Sequence, residues 1–326
     1  MTSVSSALDT PEVGTESTRT VAIAMGANLV VAAAKTAAGV VSGSASMAAE
    51  AAHSWADTGN QLFLMVANRR SARTADRQRP LGYGREAYVW SLLAAVGLFV
   101  VGGTVSVWRG VSELLDQRAA DENYLVAYVV LAIAAVMEGI SWLQAVRQLR
   151  ADAQSMDREV LEFAMQTSDP TVRAVFAEDT AALLGIVIAL AGIGLQQLTG
   201  VAAWDALGSI LVGVLLGVVA VLLIDRNRRF LTGEPGTPQL RDAVVARIEE
   251  LAPVASVRFI RLEFVGPRQL FVVASVDLVG DQIESRVAHT LRELERTLEA
   301  NPHIVDVVLT VAEPSELDDA TRSSTR

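Results

Sequence analysis

Cysteine is absent from this 326-residue chain, and histidine occurs only three times. Without cysteine the protein can form neither disulfides nor thiolate metal sites, so any metal chemistry must use imidazole and carboxylate ligands. Positive charge is not in excess either, because acidic residues outnumber basic ones and the formal net charge is −10. This balance argues against nucleic acid as a partner. The sequence contains neither HExxH nor GxSxG, so no motif supports an enzyme.

Apolar residues dominate the chain, at 51% of the sequence with a mean hydropathy of +0.36. Such a composition is typical of a membrane protein. A span needs about 20 residues to cross a bilayer core of roughly 30 Å, and six stretches have about that length. They predict a membrane α-helical bundle over residues 21–230, with spans near residues 21–41, 47–68, 87–108, 124–146, 173–197 and 203–224.

Arginine placement predicts how these spans are oriented. The connection over residues 69–86 carries six arginines, and the segment after the sixth span begins Arg226-Asn227-Arg228-Arg229. By the positive-inside rule both segments face the cytoplasm, whereas the connection over 109–123 and two uncharged ones face outside. We therefore expect a multi-pass protein of a bacterial-type cytoplasmic membrane with both termini cytoplasmic. Residues 1–20 and 313–326 are predicted to be disordered tails.

The composition changes to mixed charge from about residue 235. Residues 235–312 contain helical periodicity, two alternating strand-like segments around the turn "GPR", an amphipathic helix and a last strand-like segment. The order α-β-β-α-β predicts a small cytoplasmic α+β domain of ferredoxin- or metallochaperone-like type, with its helices on one side of a three-stranded sheet.

The second predicted span carries a polar stripe. On a helix that turns about 100° per residue, Glu50, His53 and Asp57 project within about 60° of one another. A carboxylate in the middle of a membrane costs roughly 2.5–3.5 kcal/mol, so such residues usually face a bundle interior or a water path. His53 and Asp57 can converge on one zinc ion, but a tetrahedral site needs ligands from another helix.

The best second source of ligands is the fifth span, where Glu178 and Asp179 are adjacent. Since neighbouring residues differ by about 100°, one of them can face the stripe while the other faces a water-filled mouth or a neighbouring helix. The alternative is that both acids cap the helix end at the cytoplasmic interface.

Three further polar residues are candidates for a proton or ion pathway, each with a simpler alternative. Glu138 could relay protons, bind metal or hydrogen-bond to a neighbouring Ser or Asn; Asn60 suits an interhelical hydrogen bond; Asp205 could cap a helix. Lys35 is expected to snorkel or to pair with one of the acids. Gly213 and Gly217 favour close helix packing and only weakly favour dimerisation.

Three segments resemble the cation diffusion facilitator family. They are "NLVVAAAKTAAGVVSGSASMAAEAAHSWAD", which contains the pair His53 and Asp57, the loop "RPLGYGREAY", and the α-β-β-α-β tail. The resemblance implies a transport site made from two residues four apart on helix two and two more on helix five, with protons exchanged for metal. Helix five departs from that pattern, because Ala182 and Leu183 follow Glu178 and Asp179 at a spacing of four. "EDTAALLG" instead resembles the zinc transporter nine-like branch, and Arg79 replaces a usual histidine.

The resemblance implies efflux of a divalent cation by alternating access in a homodimer within the lipid bilayer, without any resident cofactor. A site of His53, Asp57 and either Glu178 or Asp179 would be completed by water or by Glu50. Such an oxygen-rich site leans toward manganese or iron(II), but the retained imidazole keeps zinc first. His289 matches a family position that can bind metal, although a surface or dimer-contact role is the better expectation for it, and His303 is the other tail histidine. A non-transporting metal sensor or scaffold is the alternative of another class.

Overall fold

The chain divides into a helical unit and a sheet-containing unit. The computed structural model describes residues 18–116, 124–155, 160–280 and 282–312. Within these, the helical unit holds residues 18–69 and 87–228, and the sheet unit holds residues 70–86 and 229–312. The predicted tails lie outside the described residues except at 18–20, where the structure is already helical, so the first helix begins earlier than expected.

Eight helices with described bounds build the helical unit and its ends. Helix α1 (Thr18–Ser42) and α2 (Ala45–Ser71) are separated by Gly43 and Ser44, and Gly43 has a positive φ of 72° that suits the reversal of the chain. Helix α3 (Glu86–Gly97) continues through a π-helical segment (Leu98–Gly103) into α4 (Thr104–Asp116). The remaining helices are α5 (Tyr124–Ser155), α6 (Val160–Gln166), α7 (Pro170–Thr199) and α8 (Ala203–Leu231).

Four helical stretches of the described chain are long and apolar enough to cross a membrane. They are Glu86–Leu115, Tyr124–Ala151, Pro170–Thr199 and Ala203–Leu231. The apolar segment Asn28–Ser42 of α1 is shorter. Helix α2 is long enough, but it carries the charged stripe. Repeated apolar helices of this length are typical of a multi-pass membrane protein.

The structure after the fourth predicted span differs from the prediction in one boundary and one additional helix. The fourth span was expected to end near residue 146, but α5 continues to Ser155, because the polar sequence that follows the apolar stretch still favours a helix. The short helix α6 was not predicted at all. It packs through Phe163 and Ala164 against Leu149 and Ala153 of the α5 extension. Hydropathy therefore found the apolar part of α5 and missed its polar continuation.

Helices α2 and α7 lie at the centre of the bundle. One buried cluster joins Met47 of α2 and Ile186 of α7 to α1 and α5. A second cluster joins Ala49 of α2 and Ala181 of α7 to Leu98 and α8. Because both helices contribute to both clusters, their facing polar residues are shielded on either side by apolar packing.

Close glycine packing joins α8 to the π-helical segment. A Cβ added at Gly213 would lie 2.8 Å from the carbonyl oxygen of Gly103, so only glycine fits there. A Cβ added at Gly217 would meet its nearest neighbour, the ring of Phe99, at 3.6 Å. The predicted tight packing is confirmed at Gly213, and it is made within one chain.

The sheet unit contains helix α9 (Pro238–Glu249), strands β1 (Val254–Gly266) and β2 (Gln269–Leu278), helix α10 (Glu284–Glu299) and strand β3 (Ile304–Val311). The sheet order is β1-β2-β3, with β2 antiparallel to β1 and parallel to β3. The predicted three-stranded sheet is confirmed. Ile248 of α9 and Leu298 of α10 share one buried core with residues such as Val272 at the centre of the sheet.

The arginine-rich loop Arg70–Glu86 belongs to the sheet unit. A Cβ added at Gly84 would lie 2.6 Å from the carbonyl oxygen of Val265 and 2.7 Å from the Cα of Gly266, so the loop contacts the β1–β2 turn backbone to backbone. Arg85 also pairs with Glu263 of β1. These contacts hold the end of the loop against the sheet.

A second set of contacts organises the middle of this loop. Asp76 accepts hydrogen bonds from the Tyr83 hydroxyl at 2.7 Å and from the backbone N–H of Arg79 at 2.9 Å. The Tyr83 hydrogen bond is the main cause that lowers the pKa of Asp76 below its ordinary value. The guanidinium groups of Arg73 and Arg79 lie 4.6 and 5.0 Å from the centre of the Tyr83 ring. The loop is therefore ordered by its own side chains.

Candidate metal centre

The polar stripe of α2 is buried in the helical unit. Glu50 and His53 are fully buried, and the Asp57 side chain is 17% exposed. Nε2 of His53 lies 3.4 Å from Oδ2 of Asp57, so the spacing of four brings the two side chains together as predicted. Within the described chain, Nδ1 of His53 and Oδ1 of Asp57 are buried without a hydrogen-bond partner. Both residues thus keep atoms that can bind an ion.

The two adjacent acids of α7 face different helices. Asn60 of α2 donates through Nδ2 to the carboxylate of Glu178. Asp179 instead accepts a hydrogen bond of 2.7 Å from the Ser141 hydroxyl on α5. Glu178 thus contacts α2 through Asn60, whereas Asp179 contacts α5.

Neither of these acids caps the helix. The N-terminus of α7 is capped by Asp169, whose carboxylate accepts from the backbone N–H groups of Thr171 and Val172 at 2.9 and 3.3 Å. Glu178 and Asp179 lie more than two turns further along α7. The alternative that both acids cap the end of the helix is therefore wrong.

A cavity of about 130 Å³ opens between α1, α2, α5 and α7. Four carboxylates line it, namely Asp57, Glu138, Glu178 and Asp179. A water molecule occupies about 30 Å³ in the liquid, so the cavity can hold a cation with part of its water shell. Its other polar lining comes from Asn28, Ser54, Gln61 and Ser141. The cavity therefore brings together most of the acids that the sequence singled out.

Glu50 is engaged elsewhere. Its Oε2 lies 3.1 Å from Nζ of Lys35 on α1, and both side chains are fully buried. The prediction that Lys35 pairs with one of the buried acids is confirmed. An atom added at Gly185 of α7 would collide with the Glu50 carboxylate, so this pair lies directly against α7.

Asp205 lies at another place in the bundle. Its Oδ2 accepts from the Ser44 hydroxyl at 2.8 Å and from the backbone N–H of Ser46 at 3.2 Å. The carboxylate thus sits at the N-terminus of α2, although Asp205 itself belongs to α8. The predicted alternative of a helix cap is correct in type, but the capped helix is a different one.

The described residues contain no group of three or more His, Asp or Glu side chains already arranged to hold a metal ion. His53 and Asp57 form one half of such an arrangement, and Glu178 across the gap is held by Asn60. Zinc requires ligand distances of about 2.0–2.2 Å, so these side chains must move closer around an ion.

Sequence reasoning missed Ser141, which positions Asp179. The signal was available, because Ser141 follows Glu138 by three residues and therefore shares its face of α5. It also missed a buried polar group near the N-terminus of α7. There Arg173 donates to Asn227 of α8 at 2.6 Å, and Asn227 donates to Ser91 of α3 at 3.0 Å.

The two histidines of the sheet unit, His289 and His303, lie beside a carboxylate and a backbone carbonyl oxygen. His289 is exposed on α10, with Nε2 at 3.2 Å from Glu293 one turn later. Nδ1 of His303 lies 3.1 Å from the carbonyl oxygen of Arg268. The structure thus places His289 at the surface, as expected.

Comparison with known proteins identifies the family. The cation efflux transmembrane domain matches residues 21–232. A Mus musculus protein named "Proton-coupled zinc antiporter SLC30A9, mitochondrial" is 35% identical over 241 residues, which cover 74% of this chain and 42% of the relative. Its Xenopus laevis counterpart is 36% identical, with 74% of this chain and 43% of the relative covered.

A plant relative agrees with this result. "Metal tolerance protein C4" of Arabidopsis thaliana is 34% identical over 235 residues, which cover 72% of this chain and 51% of the relative. The chain thus spans less than half the length of the animal antiporters and about half of the plant protein. Together with the buried His53–Asp57 pair, these matches confirm the resemblance, and the chain belongs to the cation diffusion facilitator family, in its zinc transporter nine-like branch.

Proposed function

We propose that this protein exports a divalent metal cation, zinc first, in exchange for protons. The observation that carries the proposal is the buried His53–Asp57 pair of α2, which lies beside a carboxylate-lined cavity bordered by Glu178 of α7. Imidazole and carboxylate are ligands that zinc accepts. The relatives named as proton-coupled zinc antiporters support the same ion and the same exchange.

The ligands in this proposal are His53, Asp57 and Glu178. Glu178 becomes a ligand when an incoming cation replaces the Asn60 amide as the partner of its carboxylate. Asp179 and Glu138 add negative charge at the cavity and draw the cation in. Glu50 serves as the fixed counter-charge of Lys35, so we assign it no bond to the metal.

The oxygen-rich lining keeps manganese and iron(II) as the next candidates, because carboxylate sites suit harder ions. Metal binding requires a neutral imidazole and deprotonated carboxylates, so protons leave the site when the cation arrives. That release couples metal movement in one direction to proton movement in the other. His53 is the proposed proton carrier because its ordinary pKa is close to neutral.

The proposal includes six spans, with both termini in the cytoplasm of a bacterial-type cell, and alternating access in a homodimer. The four apolar helices, the charged stripe of α2 and the arginine-rich loop Arg70–Glu86 support this topology. The cytoplasmic sheet unit would provide part of the dimer contact.

The test is zinc flux and proton flux in liposomes that contain the purified full chain. Asp57→Ala and Glu178→Ala should each reduce zinc flux at least about tenfold, because even partners of metal ligands cost 10–100-fold when removed. Asp225→Asn is the matched control, since this acid is exposed on α8 beside Arg228 and should leave the flux unchanged.

Each possible result of the flux assay bears on a different part of the proposal. Zinc flux at the wild-type rate in Asp57→Ala would refute the site. Zinc binding without any flux in the wild-type protein would favour a sensor or scaffold over a transporter. Repeating the assay with manganese and iron(II) ranks the ions, and faster manganese transport than zinc transport would overturn the choice of zinc.

A further inference from the structure

Three residues tie the N-terminus of α2 to α8, and we name them the serine–aspartate latch: Ser44, Ser46 and Asp205. Asp205 accepts from the Ser44 hydroxyl and from the backbone N–H of Ser46, and the Ser46 hydroxyl donates to the backbone carbonyl of Asp205 at 2.8 Å. All three residues are buried, and Asp205 is fully so. Two helices are thereby joined by three hydrogen bonds, two of them to a carboxylate, which are the stronger kind.

Glycines close the space around the latch. A Cβ added at Gly192 of α7 would lie 3.3 Å from the Ser46 hydroxyl oxygen and 3.1 Å from the carbonyl oxygen of Trp204. A Cβ added at Gly208 of α8 would lie 3.5 Å from the carbonyl oxygen of Ile188. Helices α2, α7 and α8 are therefore in close contact at this end.

Toward the C-terminus of α2, the helices leave a cavity open beside Asp57. The cavity beside Asp57 is lined by Gln61 and Leu64 of α2 and by Val175 of α7, which lie farther from the latch than the His53–Asp57 pair does. One side of the pair thus has space for an ion, and the other side ends in a closed contact of three helices. An ion that enters through the cavity and moves along α2 past the pair reaches that contact.

We propose that the serine–aspartate latch closes the exit of the transport path and that its opening is the step that releases the cation. This inference rests on the proposed function, since it takes the ion as passing along α2. Asp205 is a positioning residue here and does not bind the transported metal.

The contacts of the latch exceed what capping a helix requires. Ser44 already caps α2, because its hydroxyl oxygen accepts from the backbone N–H of Met47 at 3.1 Å. Asp205 adds a bond from a different helix, and its Oδ1 is buried without a hydrogen-bond partner among the described residues. A carboxylate held by one oxygen is a contact that can be broken and remade, whereas a purely structural contact would gain from satisfying both oxygens.

The natural absence of cysteine makes the test direct, because a single introduced cysteine is the only thiol. Ala49→Cys is the reporter, since Ala49 is fully buried about one turn inside the latch. Its reaction with a maleimide is measured on the purified full chain in detergent, with and without Asp205→Ala. We expect the labelling rate to rise about tenfold in Asp205→Ala, because the carboxylate hydrogen bonds are lost. Asp205→Asn, which keeps an accepting oxygen, should stay near the wild-type rate.

Two further reporters separate opening of the latch from general loosening. Ala164→Cys is buried in the α5–α6 cluster, and Leu198→Cys is exposed at the end of α7. Both should label at rates that Asp205→Ala does not change. An increase at Ala164→Cys equal to that at Ala49→Cys, or continued protection of Ala49→Cys, would overturn the latch.

A milder variant carries the test if Asp205→Ala does not accumulate. Ser46→Ala removes only the hydroxyl bond to the Asp205 carbonyl, so labelling of Ala49→Cys should rise about threefold, and no rise would overturn the inference. Labelling and transport are independent readouts. If Asp205→Ala speeds labelling of Ala49→Cys but the wild-type protein shows no zinc flux, only the proposed function is refuted. If the wild-type protein transports zinc but Asp205→Ala leaves the labelling of Ala49→Cys unchanged, only the latch is refuted.

Discussion

Replacing Lys35 tests whether Glu50 is a counter-charge or a metal ligand. The two side chains are fully buried at 3.1 Å, where the attraction of opposite charges is about 5 kcal/mol for an effective dielectric constant of about 20. Removing one partner of such a pair typically costs roughly 3–5 kcal/mol, because the other charge stays buried and uncompensated. Lys35→Met should therefore lower the melting temperature by about 10 °C.

The double variant Lys35→Met with Glu50→Gln removes both charges. A buried ion pair that is replaced by neutral side chains of similar size is often neutral for stability, so this variant should recover most of the loss. Thermal unfolding in detergent, followed by size-exclusion chromatography, measures both effects. Arg228→Met is the matched control, since the pair of Arg228 and Asp225 is exposed at 2.8 Å and its loss should cost at most about 1 kcal/mol.

Zinc binding by calorimetry completes this experiment. If Glu50 only balances Lys35, the double variant binds zinc as tightly as the wild-type protein. A loss of zinc affinity in the double variant would show that Glu50 is a ligand, as the α2 stripe alone suggested. Wild-type stability in Lys35→Met would refute the energetic argument itself.

Two other predictions concern helix packing and the loop. Gly213→Ala should destabilise the protein by about 1–3 kcal/mol, because the new methyl group meets the Gly103 carbonyl oxygen. Gly217→Ala should be neutral or slightly stabilising, since its methyl group meets only the Phe99 ring at 3.6 Å. Equal unfolding midpoints of the two variants would contradict this prediction. Tyr83→Phe should raise the pKa of Asp76 toward its ordinary value, as followed by NMR. Because the pKa of Asp76 is lowered in the folded protein, its contribution to stability is present above the unfolded value of about 3.9 and is lost as the pH falls through the lower folded one; an unchanged pKa in Tyr83→Phe would exclude the hydrogen bond as the main cause.

The sequence predicted the α2 half of the site because helical spacing determines which side chains share a face. Glu50, His53 and Asp57 follow that rule whatever surrounds the helix. The α7 half could not be predicted in the same way. Glu178 and Asp179 differ by about 100°, and only the rotation of α7 against its neighbours decides that Glu178 meets Asn60 while Asp179 meets Ser141.

The fold shows the same division between local and tertiary information. Apolar length found the cores of the spanning helices, but it could not find the extension of α5 to Ser155, whose sequence is polar, or α6, which at seven residues is too short for a span. It also could not assign Lys35 to Glu50 among several buried acids, because that choice depends on how α1 packs on α2.

The π-helical segment Leu98–Gly103 determines how the continuous helix α3–α4 contacts α8. Before it, Ser91 of α3 bonds with Asn227 of α8, and after it the carbonyl oxygen of Ser106 on α4 accepts from Ser209 of α8 at 2.8 Å. The wider turn adjusts the rotation of the helix so that both halves face the same neighbour. Helices α3–α4 and α8 are thus fastened to each other along their length, and in the proposed transport cycle α2 would move relative to this pair when the serine–aspartate latch opens.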